Sequence, residues 1–360
     1  MADRTDAYRG CLLGLAVGDA MGMPVDEMTW DEIRENYGPQ GLLGYDLRTD
    51  YAQITSYTQV AAYVCNALLL SASRGKSEKI LPYVKLGLAE WTRSQQFARD
   101  PENSHCWVAK LPAFRRRYCR DARMLDTLRL AAMGYPERTP NNFNTPGALT
   151  SALAVAMFYN PQRLTPPQIG QLAVRIVQLT HGAPTAFLSA AVLAYGVTGI
   201  LMEPDLPLAE QFSSAISATF HQFRDQYTEV YTVSEVLTDA LERAKAAEPM
   251  DAVMESLQCY SALGCLAGAI YAAVANEKDF DTAMITAVNH SGYSSAVGGV
   301  TGAILGARMG YAALPDFYVE SLEPVKALCC LADDMASCTP IKGLFDEDWD
   351  RKYVQGLPLL

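Results

Sequence analysis

The chain is short of charge and shorter still of histidine. Only 19% of its 360 residues are Asp, Glu, Lys or Arg, and only four are histidine. With so few imidazoles and no Cys-x-x-Cys pair, nothing supports a zinc site. Basic residues are outnumbered, 29 against 40 acidic ones, for a formal net charge of −11. That balance excludes nucleic acid and anionic membrane as natural partners. Long apolar runs are scarce as well: the stretch Ala262 to Ala275 falls short of a membrane span. The opening MADRTDAYRG has no basic segment leading into an apolar one, so no secretory signal is expected. Nine cysteines without paired spacing read as reduced core thiols, which points to a cytoplasmic protein. No apolar/polar alternation runs beyond a few residues, and no Gly/Ser/Pro linker divides the chain.

What remains is helical periodicity almost throughout. The spacing predicts helices over Thr29–Tyr37 (capped by Thr29), Ile54–Ala72, Ser77–Gln95, Pro112–Cys119, Ala122–Met133, Ala148–Phe158, Pro166–Leu179 and Thr185–Met202. It continues through Leu208–Tyr227, Ser234–Ala247, one long helix Met250–Ala275, Phe280–Val288 and Pro324–Met335, followed by a proline-dotted tail. Gly38–Asp50 and TPNNFNTPG read as loops. The expected architecture is all-α, one domain over residues 1–360. Two glycine ridges stand out: Gly10, Gly14, Gly18 and Gly22 near the start, and Gly298, Gly302, Gly306 and Gly310 near the end. Each interior helix glycine costs roughly 1 kcal/mol against alanine. Repeated every fourth residue, they make sense where two helices pack by i±4 ridges at close range. The two ridges are therefore expected to meet.

Six segments in order resemble the ADP-ribosylglycohydrolase family: GCLLGLAVGDAMGMPVDEM, IRENYGPQGLLGYD, ITSYTQVAAYVCNALLL, PNNFNTPGALTSALAVA, LTHGAPTAFLSAA and AVNHSGYSSAVGGVTGAILGA. The resemblance covers almost the whole length. It implies a single orthogonal multi-helix domain of enzymes that remove ADP-ribose from proteins and small molecules. In the family, two segments supply a site for two Mg²⁺ ions: Thr/Ser-Asp-Asp after the first loop, and Asp-x-Asp-Thr/Ser opening the C-terminal glycine helix. Carried over, the six ligand positions are Thr55, Ser56, Tyr57, Tyr293, Ser295 and Ala296. Thr55 alone keeps the ligand type, and all four carboxylates are gone. Mg²⁺ is held chiefly through carboxylates and waters in octahedral geometry, and a phenol ionises only near about pH 10. The resemblance thus implies a lost metal site, and no metal or other cofactor is expected. Tyr57 and Tyr293 are expected to fill the space together, hydroxyls paired to each other, to Ser56, Ser295 or Asp19, or to water.

The substrate side is altered too. The family's Lys-Gly-Cys-Gly-Gly has become Asn144, Thr145, Pro146, Gly147 and Ala148, and proline removes a backbone donor. Asn141, Asn142, His181 and His290 persist as candidate ligand-binding residues. Asp26 stands where the family has Glu. Asp19 and Asp26 form the one carboxylate pair that a metal-independent glycosidase could use, and Asp19 could equally be a helix cap. Three functions are expected to compete. The first is a pseudoenzyme that binds a small molecule or a partner protein. The second is a metal-independent hydrolase acting on a nucleoside, ribosyl or glycoside-like compound. The third is a structural or interaction protein without a small ligand.

Overall fold

The protein is described by a computed structural model covering residues 4–47, 49–74, 80–96, 103–132, 141–158, 164–246, 248–337 and 346–358. Every regular element among these is helical, and the remaining β pairing is two isolated bridges. The chain begins with α1 (Arg4–Gly22) and turns through Met23–Val25 into α2 (Trp30–Tyr37). Thr29 and Glu32 form a reciprocal capping box there: Glu32 N donates to Thr29 Oγ1 and Thr29 N to Glu32 Oε2. After the loop come α3 (Ser56–Ser73) and α4 (Ile80–Gln96). The start predicted for α4, Ser77, lies outside the described residues, as does Met133 at the end of α5 (Ala122–Ala132).

The helix predicted over Pro112–Cys119 does not form. Two short 3-10 turns, Trp107–Lys110 and Pro112–Arg115, are followed by irregular chain up to Asp121. Pro112 restricts the backbone, and the buried Gln59 amide donates to the carbonyls of Ala113 and Arg116 at 2.9 and 3.0 Å. Those bonds replace the helical ladder and lay residues 116–121 across the start of α3.

The middle follows the periodicity: α6 (Gly147–Phe158), α7 (Pro166–Val177), α8 (Pro184–Met202), α9 (Leu208–Phe223) and α10 (Glu229–Lys245). The last begins five residues before the predicted Ser234, because Val230 and Val233 already bury the face that Leu237 and Leu241 continue. Contrary to the expectation that apolar runs stop short of a membrane span, α8 reaches it in length and mean hydropathy (1.8). It is nonetheless 78% buried as a central helix of the core.

The predicted Met250–Ala275 helix is two: α11 (Met250–Ser256) and α12 (Ala262–Ala275). Gln258 takes φ 49° at the break, and Ser261 Oγ caps α12 by accepting from Gly264 N. Then follow α13 (Phe280–Val288), α14 (Ser294–Met309), α15 (Asp316–Glu320) and α16 (Val325–Ser337). A final helix, α17 (Glu347–Tyr353), occupies part of the predicted irregular tail; residues 338–345 lie outside the description. Trp349, Lys352 and Tyr353 bury one face of α17, which is what makes so short a helix hold.

The centre of the fold is the antiparallel pair α1 and α14. A Cβ on Gly10, Gly14 or Gly18 would overlap the carbonyl of Gly306, Gly302 or Gly298 in turn. Backbone meets backbone along both helices, as the ridges predict. Around this pair one contiguous apolar core gathers buried residues from nearly every helix.

Candidate ligand site at three helix starts

Three helices, α3, α6 and α14, begin around the irregular stretch 116–121, and each start is met by a buried aspartate from elsewhere in the chain. Asp19, in the last turn of α1, accepts from Thr55 N and Oγ1 (2.9 and 2.6 Å) and from Thr58 N and Oγ1 (3.1 and 2.6 Å). It caps α3. Burial pushes its carboxyl above the ordinary range, and the Thr55 and Thr58 bonds oppose that shift. Asp26, just past the Met23–Val25 turn, accepts from Ser295 N at 2.8 Å and so caps α14. Asp121 accepts from Gly147 N at 3.2 Å at the start of α6 and from Met124 N at 2.9 Å at the start of α5. Free helix N-termini attract anions. Here the chain's own carboxylates already take that role.

Around the caps stand the other predicted residues. Thr55 is the N-cap of α3. Ser56 Oγ accepts from Arg120 N at 2.8 Å, and Ser56 N donates to Tyr118 O at 3.0 Å. Ala296 is buried in the first turn of α14. Tyr57 is buried, and its hydroxyl has no hydrogen-bond partner among the described residues; the same holds for Ser295 Oγ. The expected pairing of the Tyr57 hydroxyl with a neighbouring side chain therefore is not formed. Tyr293, half-buried at the N-cap of α14, sets its ring edge-on to exposed Tyr260 at 6.5 Å. The two tyrosines do share one neighbourhood. Burial raises both phenols, and the neighbouring acids Asp26 and Asp121 push each further the same way.

Asp26 is strongly perturbed. Burial raises it to about 7, against the lowering effects of Arg120 and the Ser295 amide. Its Oδ2 lies 3.5 Å from Arg120 Nε, a charge contact without a hydrogen bond. Arg120 also donates to Met23 O at 2.9 Å, with its guanidinium 4.9 Å over the Tyr118 ring.

The remaining candidates divide. His181 is buried, with Nε2 3.2 Å from Asp121 Oδ2 and 3.0 Å from Thr145 Oγ1, and Nδ1 2.8 Å from Thr180 Oγ1. Burial opposes the charge on Asp121, but the His181 bond and charge outweigh it and hold that carboxyl low. Asn141 clamps a turn: its Oδ1 accepts from Gly182 N and Phe143 N, and its amide donates to Thr180 O. Asn142 is exposed. His290 is buried away from this cluster, its ring nitrogens 3.0 and 3.1 Å from the carbonyls of Ala287 and Ser291. Sequence reading missed Arg120, Asp121 and Tyr260. The one available signal was RYCRDAR, a charged run across the junction of two predicted helices; Tyr260 was hidden inside a predicted helix.

The family model for ADP-ribosylglycohydrolases matches residues 1–344. The chain belongs to the ADP-ribosylglycohydrolase family. A solved structure titled "ADP-ribosylglycohydrolase-related protein complex" aligns with a TM-score of 0.61 at 23% identity, covering 94% of this chain and 99% of that one. At such identity it bears on the fold. An uncharacterised protein of Archaeoglobus fulgidus is 54% identical over 33 residues, only 9% of this chain and 11% of that relative.

Against the two Mg²⁺ ions that ADP-ribosylglycohydrolase resemblance implies, the donor set does not fit. The positions at the starts of α3 and α14 offer hydroxyls, two phenols and a methyl group. Among the described residues no three His, Cys, Asp or Glu side chains are grouped to hold a metal ion. Asp19, Asp26 and Asp121, the buried carboxyls beside these positions, are bound to helix amides instead.

Proposed function

We propose that this family member is a pseudoenzyme: it keeps the scaffold, has lost metal-dependent hydrolysis, and binds an uncharged, hydroxyl-bearing small molecule beside the former ligand positions at the starts of α3 and α14. The observation that carries this reading is the exchange of charge at the helix starts. Every carboxylate at the former ligand positions is replaced, and the helix amides that could meet a phosphate are engaged by Asp19, Asp26 and Asp121. The doubly charged pyrophosphate of ADP-ribose would face three buried aspartates with Arg120 as the compensating cation, so ADP-ribose is disfavoured as the ligand. Unpartnered Tyr57 and Ser295 hydroxyls, and the Asp26 oxygen that faces Arg120 without a hydrogen bond, suit a ligand that both donates and accepts hydrogen bonds.

A ligand that binds the native state raises its melting temperature. In a thermal-shift panel of Mg²⁺, ADP-ribose, NAD and nucleosides, stabilisation by a nucleoside and none by Mg²⁺ is the expected result. Stabilisation by Mg²⁺, with hydrolysis of an ADP-ribosylated substrate, would sink the proposal. Silence across the panel would favour an interaction protein without a small ligand.

A second reading, metal-independent hydrolysis of a glycoside-like compound, is favoured by one feature: a carboxyl near 7 is poised for acid–base exchange. Asp19 cannot complete a pair with it, since both its oxygens are engaged. Turnover that EDTA leaves intact and Asp26→Asn abolishes would establish this reading in place of the first.

A further inference from the structure

We infer that Arg120 is the resident cation of this centre, and that it excludes divalent metal independently of the lost carboxylates. The inference rests on the proposed metal-free reading and adds to it the group responsible. The titratable groups facing the place are Asp19 from α1, Asp26 and Glu27 after the first turn, Tyr57 from α3, Asp121 and His181 beside α6, Cys265 from α12 and Tyr293 from α14. They include four carboxyls, and against them, among the described residues, stands the Arg120 guanidinium, which stays charged at any relevant pH.

Arg120 is held there rather than reaching in from solvent. Its backbone N–H is bound to Ser56 Oγ, its guanidinium to Met23 O, and its charge lies over Tyr118 and 3.5 Å from the fully buried Asp26 carboxylate. Ser56 and Ser295 are themselves two of the former ligand positions. The Arg120 backbone thus meets the start of α3, while its guanidinium stands against the Asp26 carboxylate whose other oxygen holds the start of α14, so a second cation drawn to Asp26 would meet like charge at short range.

Two experiments on the full chain test this. First, Arg120→Ala should lower the melting temperature, and millimolar methylguanidinium should restore part of that loss while leaving wild type unmoved; Arg120→Lys should keep most of the stability. Equal stability of Arg120→Ala and wild type, or no differential rescue, overturns the inference. Second, carboxylates are restored as Tyr293→Asp/Ser295→Asp, and as those two with Ser56→Asp and Tyr57→Asp. Mn²⁺ affinity, read by electron paramagnetic resonance, should stay at the wild-type level until Arg120→Met is added and then rise by about tenfold or more, a modest share of one Coulomb contact between partly buried charges. Equal affinity with and without Arg120 overturns the inference alone. Mn²⁺ held at this centre by unaltered wild type would instead overturn the metal-free reading on which it stands.

Discussion

At the residue scale, charge and hydroxyl placement separate capping groups from available ones. Asp19 has four donors on two oxygens, so its removal strips the start of α3 of its acceptor. Asp19→Ala should cost about 3 kcal/mol or more, since hydrogen bonds to buried charges are worth about 1.5–3 kcal/mol each before relaxation; urea unfolding measures it. Tyr57→Phe removes a hydroxyl with no protein partner and should be neutral or stabilising by up to about 1 kcal/mol. A clear loss in the unliganded protein would mean that the hydroxyl is bonded after all. Asp26 carries the pH dependence. An acid whose folded pKa lies above its unfolded value binds more protons in the native state, so its contribution to stability falls as pH rises. For Asp26 that fall runs from the ordinary carboxyl value, 3.8, to about 7 and then levels. Asp26→Asn should remove this slope from unfolding free energies measured across the same range, with the largest advantage over wild type above pH 7.

At the scale of elements, the α1–α14 pair reverses the usual rule for glycine. In an isolated helix, Gly→Ala gains about 1 kcal/mol. Gly14→Ala or Gly302→Ala should instead destabilise by about 2–3 kcal/mol or more, because the added methyl meets a backbone carbonyl that no rotamer change can move aside. Chemical denaturation of either variant checks the sign. The ridge was readable from spacing alone, and so was the cap at Thr29, though not its reciprocal bond from Glu32. The break between α11 and α12 was not, because its apolar spacing continues across Gln258, and only the left-handed backbone there reveals the turn. That turn matters to the site: Cys259 O accepts from Tyr293 N at 2.9 Å and brings Tyr260 beside it.

At the scale of the whole molecule, the C-terminal elements are tied back to the start of the chain by charge. Arg9 of α1 donates from Nε and Nη2 to Asp333 of α16 at 2.6 and 2.8 Å. Asp334, one residue on, is buried against Lys352 and Tyr353 of α17, with the Tyr353 hydroxyl 2.6 Å away and Lys352 Nζ in direct contact. Breaking a buried ion pair from one side leaves the other charge uncompensated. Lys352→Ala should therefore cost about 3–5 kcal/mol, with faster hydrogen exchange over α17 than elsewhere. An unchanged exchange rate there would show that the helix docks through Trp349 and Tyr353 alone.

The sequence by itself determined the helical class and the meeting of the two glycine ridges, which depend on period and residue type and are local. The loss of the four carboxylates was legible only through the family resemblance that marks their positions. The sequence could not show that Asp19 caps a helix it does not belong to, or that Asp121 reaches His181. Nor could it bring Arg120 to Asp26. These are contacts between groups 36, 60 and 94 positions apart in the chain. Only tertiary packing sets such distances, and over them the balance between burial and neighbouring charge decides which acid is engaged and which remains available.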